Sequence, residues 1–231
     1  MKFKSALATQ VSGSIGGFTA SHNRGGMYLR SRAIPTDPAS GLQTTRRLYF
    51  GIFSAYWAEL SQANRDAWNL YGENVEVTDA LGNAIKLSGQ QWFVGSASVR
   101  ARSGFSLVEA GPTTFSRPGL TPPALASADD TPELSITFED SDDWANEDGG
   151  GLLIQVGRPQ SPGVNFFKGP WRYADSIDGD DTTPPTSPAA IASPYALTIG
   201  QKVWVRVTCI MADGRYSQGV VLGPELVVAN A

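Results

Sequence analysis

A chain of 231 residues is comfortable for two domains, and 41% hydrophobic with 17% charged residues allow a packed core. Its one cysteine (Cys209) excludes an intramolecular disulfide and a cysteine-based zinc site, its one histidine (His22) excludes a histidine-rich metal site, and no run of about 18 apolar residues is present to cross a membrane as a helix. The net charge of −4 divides unevenly: residues 1–104 hold 11 Lys/Arg against 6 Asp/Glu, and residues 105–231 hold 7 against 16. A basic front and an acidic back point to two modules in different surroundings, or to attraction between copies. The plainer alternative is two unrelated solvated surfaces.

The opening MKFKSALATQ has two lysines but no apolar stretch of signal-peptide length, so the chain is expected to be made in a cytoplasm without a signal peptide. Residues 13–35, GSIGGFTASHNRGGMYLRSRAIP, carry five glycines and three arginines. Val11, Ile15, Phe18, Met27, Leu29 and Ile34 alternate loosely, and His22-Asn23-Arg24-Gly25-Gly26 has the composition of a hairpin tip. A two-stranded ribbon is marginal alone in water, so this one needs a surface to lie on. Asp37-Pro38 predicts a helix start, followed by a helix of roughly 20 residues through SGLQTTRRLYFGIFSAYWAEL. Ser61 caps a second helix, QANRDAWNLYGEN, with Gly72 as its stop. A short hairpin turns at Gly82-Asn83, and Ser88 opens a third helix that Gly104 ends. Tyr49, Phe53, Trp57, Trp68 and Trp92 are the expected core of this helical unit.

Residues 105–132 hold five of the fifteen prolines without a period and predict an extended, exposed linker. Beyond it, LSITFED, GGLLIQVGRP, FFKGPWRYADSI, YALTIGQKVWVRVTCIMAD and SQGVVLGPELVVAN read as strands separated by turns, the pattern of a β-sandwich. In VWVRVTCIM, Val203, Val205, Val207 and Cys209 share one face and Trp204, Arg206 and Thr208 the other, with Cys209 a buried apolar filler.

The candidate chemistry is sparse. The glycines of GSIGG and NRGG lack the lysine–serine pair of a phosphate loop. His22 reads as a surface turn residue, not a catalytic base, and no nucleophile–base pair suggests itself, so no enzyme is expected. The acidic runs 139–148 and 175–181 do not match an EF-hand. Solvated loops are their default reading, with Asp140, Asp142, Asp178 and Asp180 as secondary calcium candidates. Trp144, Trp171 and Tyr173 are candidate exposed platforms for a glycan. No cofactor is expected.

Arg24, Arg30, Arg32, Arg46 and Arg47 form a basic group with Phe18, Tyr28 and Tyr49 interleaved. It suits phosphates or acidic loops on another protein, but the aromatic-crowded helices are a poor helix-turn-helix, so direct DNA reading is not expected.

The order SGSIGGFTASHNRGGMYLRSRAIPTDP, a helix, LSQANRDAW and VTDALGNAIKLSGQQWFV resembles an uncharacterised family of tailed-bacteriophage and prophage structural proteins. The matching features are Leu60, Ser61, Arg65, Ala67 and Trp68, then Asp79, Gly82, Leu87, Ser88 and Gly89. The resemblance covers roughly residues 10–103, and residues 133–230 resemble fibronectin type III or immunoglobulin-like modules generically. It implies a virion protein, made in the host bacterial cytoplasm, that sits on the head, portal or tail in contact with other virion proteins or further copies of itself.

The expected fold is an α+β N-terminal unit followed by an all-β sandwich. Its parts are a β-hairpin arm at 1–35, a helical docking domain at 36–104, a Pro-rich linker at 105–132 and the sandwich at 133–231. The expected docking residues are Phe18, Arg24, Tyr28, Leu29, Arg30, Arg32, Arg46 and Arg47. The alternative function is a carbohydrate- or cell-surface-binding module.

Overall fold

The structure is a computed structural model describing residues 12–23, 26–34, 36–78, 83–128, 131 and 133–229. It mixes α and β structure, with three α-helices and four antiparallel sheets among the described residues. Two compact units divide the chain, Met1–Thr45 and Arg46–Ala231.

The first unit holds a sheet of three strands in the order β1 (Gly13–Ile15), β2 (Phe18–Asn23), β3 (Gly26–Ser31). The expected two-stranded hairpin therefore has a third member. Its cause is Gly16-Gly17: with Ile15 paired to Phe18, these two residues make the whole turn, and Gly16 takes φ 54°. The Gly17 carbonyl also accepts the amide of Arg32 at 2.8 Å. At the other turn Asn23 pairs with Gly26, while Arg24 lies outside the described residues.

Helix α1 (Gly41–Glu59) begins three residues after the expected Pro38. The Asp37 carboxylate instead accepts the Ala39 amide at 3.1 Å, closing a local turn, and Ala39 takes φ 42°. The first helical bond is Thr44 N–H to the Ser40 carbonyl, and the Gln43 side chain reaches back to the Ser40 amide.

In the second unit, local chemistry sets the helix ends. The Ser61 hydroxyl accepts the Asn64 amide at the start of α2 (Gln62–Asn74). At α3 (Gly89–Ser103), Ser88 and Gln91 form a reciprocal capping box, and Gly104 closes the helix in the left-handed region. Gly72 does not stop α2. It is buried inside the helix, where a Cβ would stand 2.5 Å from the Leu87 carbonyl, so glycine is there for close packing. The hairpin β4 (Glu76–Thr78)–β5 (Ala84–Lys86) joins α2 to α3, and Gly82 falls outside the described residues.

Leu60, Trp68, Tyr71, Val75, Trp92, Phe93 and Val94 form one buried cluster, with Trp68 set edge-on to Tyr71 and Phe93. Phe53 and Trp57 pack on it half-buried, and Tyr49 reaches only a stack on Phe53. The expected core is thus carried by α2 and α3, while α1 buries no side chain.

The remaining strands are β6 (Ala124–Ala128), β7 (Glu133–Thr137), β8 (Gly151–Gly157), β9 (Trp171–Asp178), β10 (Ala189–Ala192), β11 (Lys202–Ile210) and β12 (Val220–Leu226). They make a three-stranded sheet, β10-β7-β6, and a four-stranded sheet, β12-β11-β8-β9. One buried cluster draws from both: Leu134 and Ile136, Leu152, Ile154 and Val156, and Val203, Val205, Val207 and Cys209. Trp204 and Thr208, on the face opposite Val203, are buried as well. Phe167 stacks on Trp204, and α3 packs across β8 and β9. A strand covered on both sides reads as a continuous apolar run, not as an alternation.

The segment expected to be an exposed linker is pinned down over most of its length. The Trp68 indole donates to the Glu109 carbonyl at 3.0 Å, and the Tyr71 hydroxyl to the Ser116 carbonyl at 3.3 Å. A Cβ on Gly111 would meet the α2 backbone at 2.6 Å, and Pro112 is buried. Strand β6 also starts inside this span. Pro123 is buried as well and Pro118 is half-buried, while residues 113–116 and Pro122 are exposed.

Candidate partner-docking surface

Pairing in the ribbon sorts its side chains onto two faces, because directly opposed residues share a side. Ile15 opposes Phe18, Ala20 opposes Leu29 and His22 opposes Met27, which gives one apolar face. Ser14 and Arg30 both oppose Thr19, and Ser21 opposes Tyr28, which gives a polar face. A hydroxyl–hydroxyl bond of 2.9 Å joins Ser14 and Thr19 on that side. The expected docking residues therefore separate. Phe18 and Leu29 belong to the apolar face, and Tyr28 and Arg30 to the polar one. Ile15 is 82% and Phe18 62% exposed, large values for apolar side chains that alternate correctly. Tyr28 and Leu29 are half-buried, and Arg30 and Arg32 are exposed.

In the second unit, the part of α1 from Arg46 onward exposes apolar side chains of its own. Leu48 and Phe50 are 58% and 64% exposed. A groove of about 520 Å³ lies along its inner side, lined by Phe50, Ser54, Gln90, Val94, Gly95 and Ser98. A helix with apolar residues on most faces and none buried has area left for a partner. Arg46 and Arg47 are exposed. Arg46 lies within electrostatic range of Arg206 and Arg102, two residues that the sequence does not single out. The available signal was Arg206 itself, a charge in the middle of the apolar run VWVRVTCIM.

The glycan platform loses its first member. Trp144 is fully buried in the cluster shared by the two sheets, set edge-on to Phe138. The acidic residues around it hide an anchor that the 3-10 turn Asp143–Asn146 points inward. Trp171 and Tyr173 are half-buried. Trp171 makes an edge contact with Phe167 beside a groove of about 410 Å³ that includes Phe166, Lys168 and Arg206.

The four calcium candidates do not converge. Asp142 receives both the amide and the hydroxyl of Thr121, at 2.9 and 2.7 Å, and so ties the segment before β6 to the acidic loop. Asp180 accepts the amides of Thr182 and Thr183, which hold its carboxyl below the usual carboxylate range. The carboxylates that do approach one another are Asp148, Asp180 and Asp181, all exposed. Asp140 and Asp178 are exposed outside this trio.

Cys209 behaves as read. It is fully buried, and burial pushes its thiol up to about 12, far from the thiolate range a nucleophile needs. His22 is exposed at the end of β2, opposite Met27. No protein-family model, curated protein or solved structure matches this chain.

Proposed function

We propose that this chain is a non-enzymatic structural component of a bacteriophage virion. It docks on a neighbouring virion subunit through the ribbon and α1, and it carries a fibronectin type III or immunoglobulin-like β-sandwich. The observation that carries the reading is the ribbon's apolar face. Within this three-stranded sheet Ala20 is buried and Met27 and Leu29 are half-buried, but Ile15 and Phe18 at its β1–β2 end stay open to water, an apolar area that a three-stranded sheet needs covered to be stable. A neighbouring subunit supplies that cover, or extends the sheet along the edge of β1 or β3.

The sandwich reading rests on two sheets of three and four antiparallel strands that feed one buried cluster. Adjacent pairs β6–β7, β8–β9 and β11–β12 stay within a sheet, while β7 to β8, β9 to β10 and β10 to β11 cross between sheets. Such a module is a spacer or a presenting surface in the assembly.

The experiment is deletion of residues 1–34. The expected result is a β region that keeps its near-ultraviolet circular dichroism and a chain that no longer enters particles. Normal incorporation of the truncated chain refutes the docking role. Copy number per particle then separates a shell component, at hundreds of copies, from a portal or tail part at roughly a dozen or fewer, because closed symmetry fixes the count.

A further inference from the structure

Arg206, Arg102 and Arg46 come together in the second unit from three different elements. Arg206 is in the middle of β11, where it opposes Gln155 of β8, which in turn opposes Tyr173 of β9. Arg102 belongs to the last turn of α3, which packs on β8 and β9, and Arg46 to the first turns of α1. Each lies within electrostatic reach of the other two: Arg46 and Arg206 both act on Arg102, and Arg206 acts on Arg46.

Among the described residues, none of the three meets a carboxylate or makes a side-chain hydrogen bond. The Nε of Arg206 is shut off from solvent without an acceptor. Gly219 makes room for its guanidinium, since a Cβ there would stand 2.3 Å from Nε. Lys168 lines the same 410 Å³ groove, between Phe167 and Trp171.

Arg102 and Arg206 are half-buried and Arg46 is exposed beside them; three like charges so placed repel one another, and the two half-buried ones are poorly hydrated. Burial and the two neighbours push Arg102 down to about 10. Fold stability does not require this arrangement. The C-terminal turn of α3 already has Arg100 as its cation, and β11 has Val205 and Val207 for packing. A buried donor without an acceptor, here the Arg206 Nε, calls for a missing partner in a native fold.

We propose that Arg46, Arg102 and Arg206 form a binding site for a phosphate group, with the Phe166–Trp171 groove beside it taking the body of the phosphorylated ligand. A phosphate monoester or pyrophosphate brings two or more negative charges and several acceptor oxygens, enough to answer three guanidinium forks at once. A single carboxylate brings one charge and two oxygens. The aromatic groove is suited to a flat or apolar body attached to the phosphate.

The test is thermal unfolding of the full chain in sodium pyrophosphate, in inorganic phosphate and in sodium chloride at matched ionic strength, with R102Q and R206Q alongside. A saturable rise in midpoint with the phosphates and none with chloride is expected. Each variant should weaken the apparent affinity about tenfold or more, because each removes charge-assisted hydrogen bonds. R102Q without phosphate should unfold no earlier than the parent, since it relieves repulsion; a purely structural arginine would lower the midpoint. Arg102 sits at a helix end, so R102Q keeps the test open if R206Q fails to fold.

A further arm compares a 5′-phosphorylated oligothymidylate with pyrophosphate. A response to the oligonucleotide alone assigns the phosphate to nucleic acid, and a response to both assigns it to a small phosphate ester. Equal midpoints in phosphate and chloride overturn the proposal, as does an undiminished response in both variants. Salt-sensitive self-association lost in R102Q, with no phosphate response, overturns it in favour of a second copy's carboxylates. None of these measurements involves virion particles, so they stand apart from the docking test.

Discussion

Replacing Arg100 by Met should cost this protein more than any substitution of an exposed arginine, although both remove one charge. Arg100 is 4% exposed. Its Nε donates to the Ser106 carbonyl at 2.7 Å, and Nη1 donates to the Met211 carbonyl at 2.8 Å and the Gly149 carbonyl at 3.2 Å. Its guanidinium also lies 5.4 Å from the centre of the Phe105 ring. One side chain thus fastens the end of α3 to the segment after it, to the loop before β8 and to the residue after β11. Burial pushes its pKa down, while Asp213 and Glu147 oppose that.

Hydrogen bonds from a charged donor are worth about 1.5–3 kcal/mol each. Three of them are offset by the cost of burying the cation, which leaves a net loss of about 3–5 kcal/mol when such a buried network is broken. Met restores the volume but none of the donors. Urea unfolding followed by tryptophan fluorescence and by circular dichroism measures the loss. Arg65→Met is the control, because Arg65 is partly exposed and bonds only to Ala58 and Gln62 nearby, so it should lose under about 1 kcal/mol. A loss below about 1 kcal/mol for Arg100→Met would refute the claim that this arginine joins helices to sheets.

Gly95→Ala should destabilise by about 1–3 kcal/mol in the same assay, as overpacked cores do. The new Cβ would stand 2.3 Å from the Tyr216 hydroxyl, and Tyr216 is held against Trp92 and Arg117. Stability should also fall in alkali. Burial raises the Cys209 thiol and the Tyr71 phenol to about 12 each, from 9.0 and 10.0. Both folded values exceed the unfolded ones, so their contribution is complete below about pH 9 and is lost as the pH climbs towards 12, at ~1.4 kcal/mol per pH unit per group. The urea midpoint should hold level to about pH 8.5 and then drop, less steeply in Cys209→Ala between pH 9 and 10; a level midpoint through that range in the parent contradicts the assignment. Phe18→Asp should leave the urea midpoint unchanged while abolishing entry into particles, and normal entry would remove the apolar face from the docking surface.

What could be read from the sequence follows the range of the interactions involved. The Ser61 and Ser88 caps and the Gly104 stop are set by bonds within four residues, and each is where composition put it. Strands β8 and β11 were legible because their apolar runs are long. Strands β6 and β10 were not: ALASA and AAIA are short, alanine-rich and flanked by proline, and they become strands by pairing with β7, with the Ala128 carbonyl of β6 also accepting the Val228 amide. Gly72 looked like a helix stop because its true constraint, the Leu87 carbonyl, is fifteen residues away. Trp144 looked exposed because its neighbours are acidic, yet one residue can face the core while those around it stay in water. The arginine cluster was illegible for the same reason as any tertiary site: residues 46, 102 and 206 share no local pattern.

Amide hydrogen exchange over residues 13–31 tests most directly whether the ribbon depends on a foreign surface. In the isolated chain these amides should exchange nearly as fast as in an unfolded peptide, while β8 and β11 stay protected, and in assembled particles the ribbon should become slow. A monomer in solution whose ribbon amides already exchange slowly would show that the three strands sustain themselves, and the docking account would be wrong.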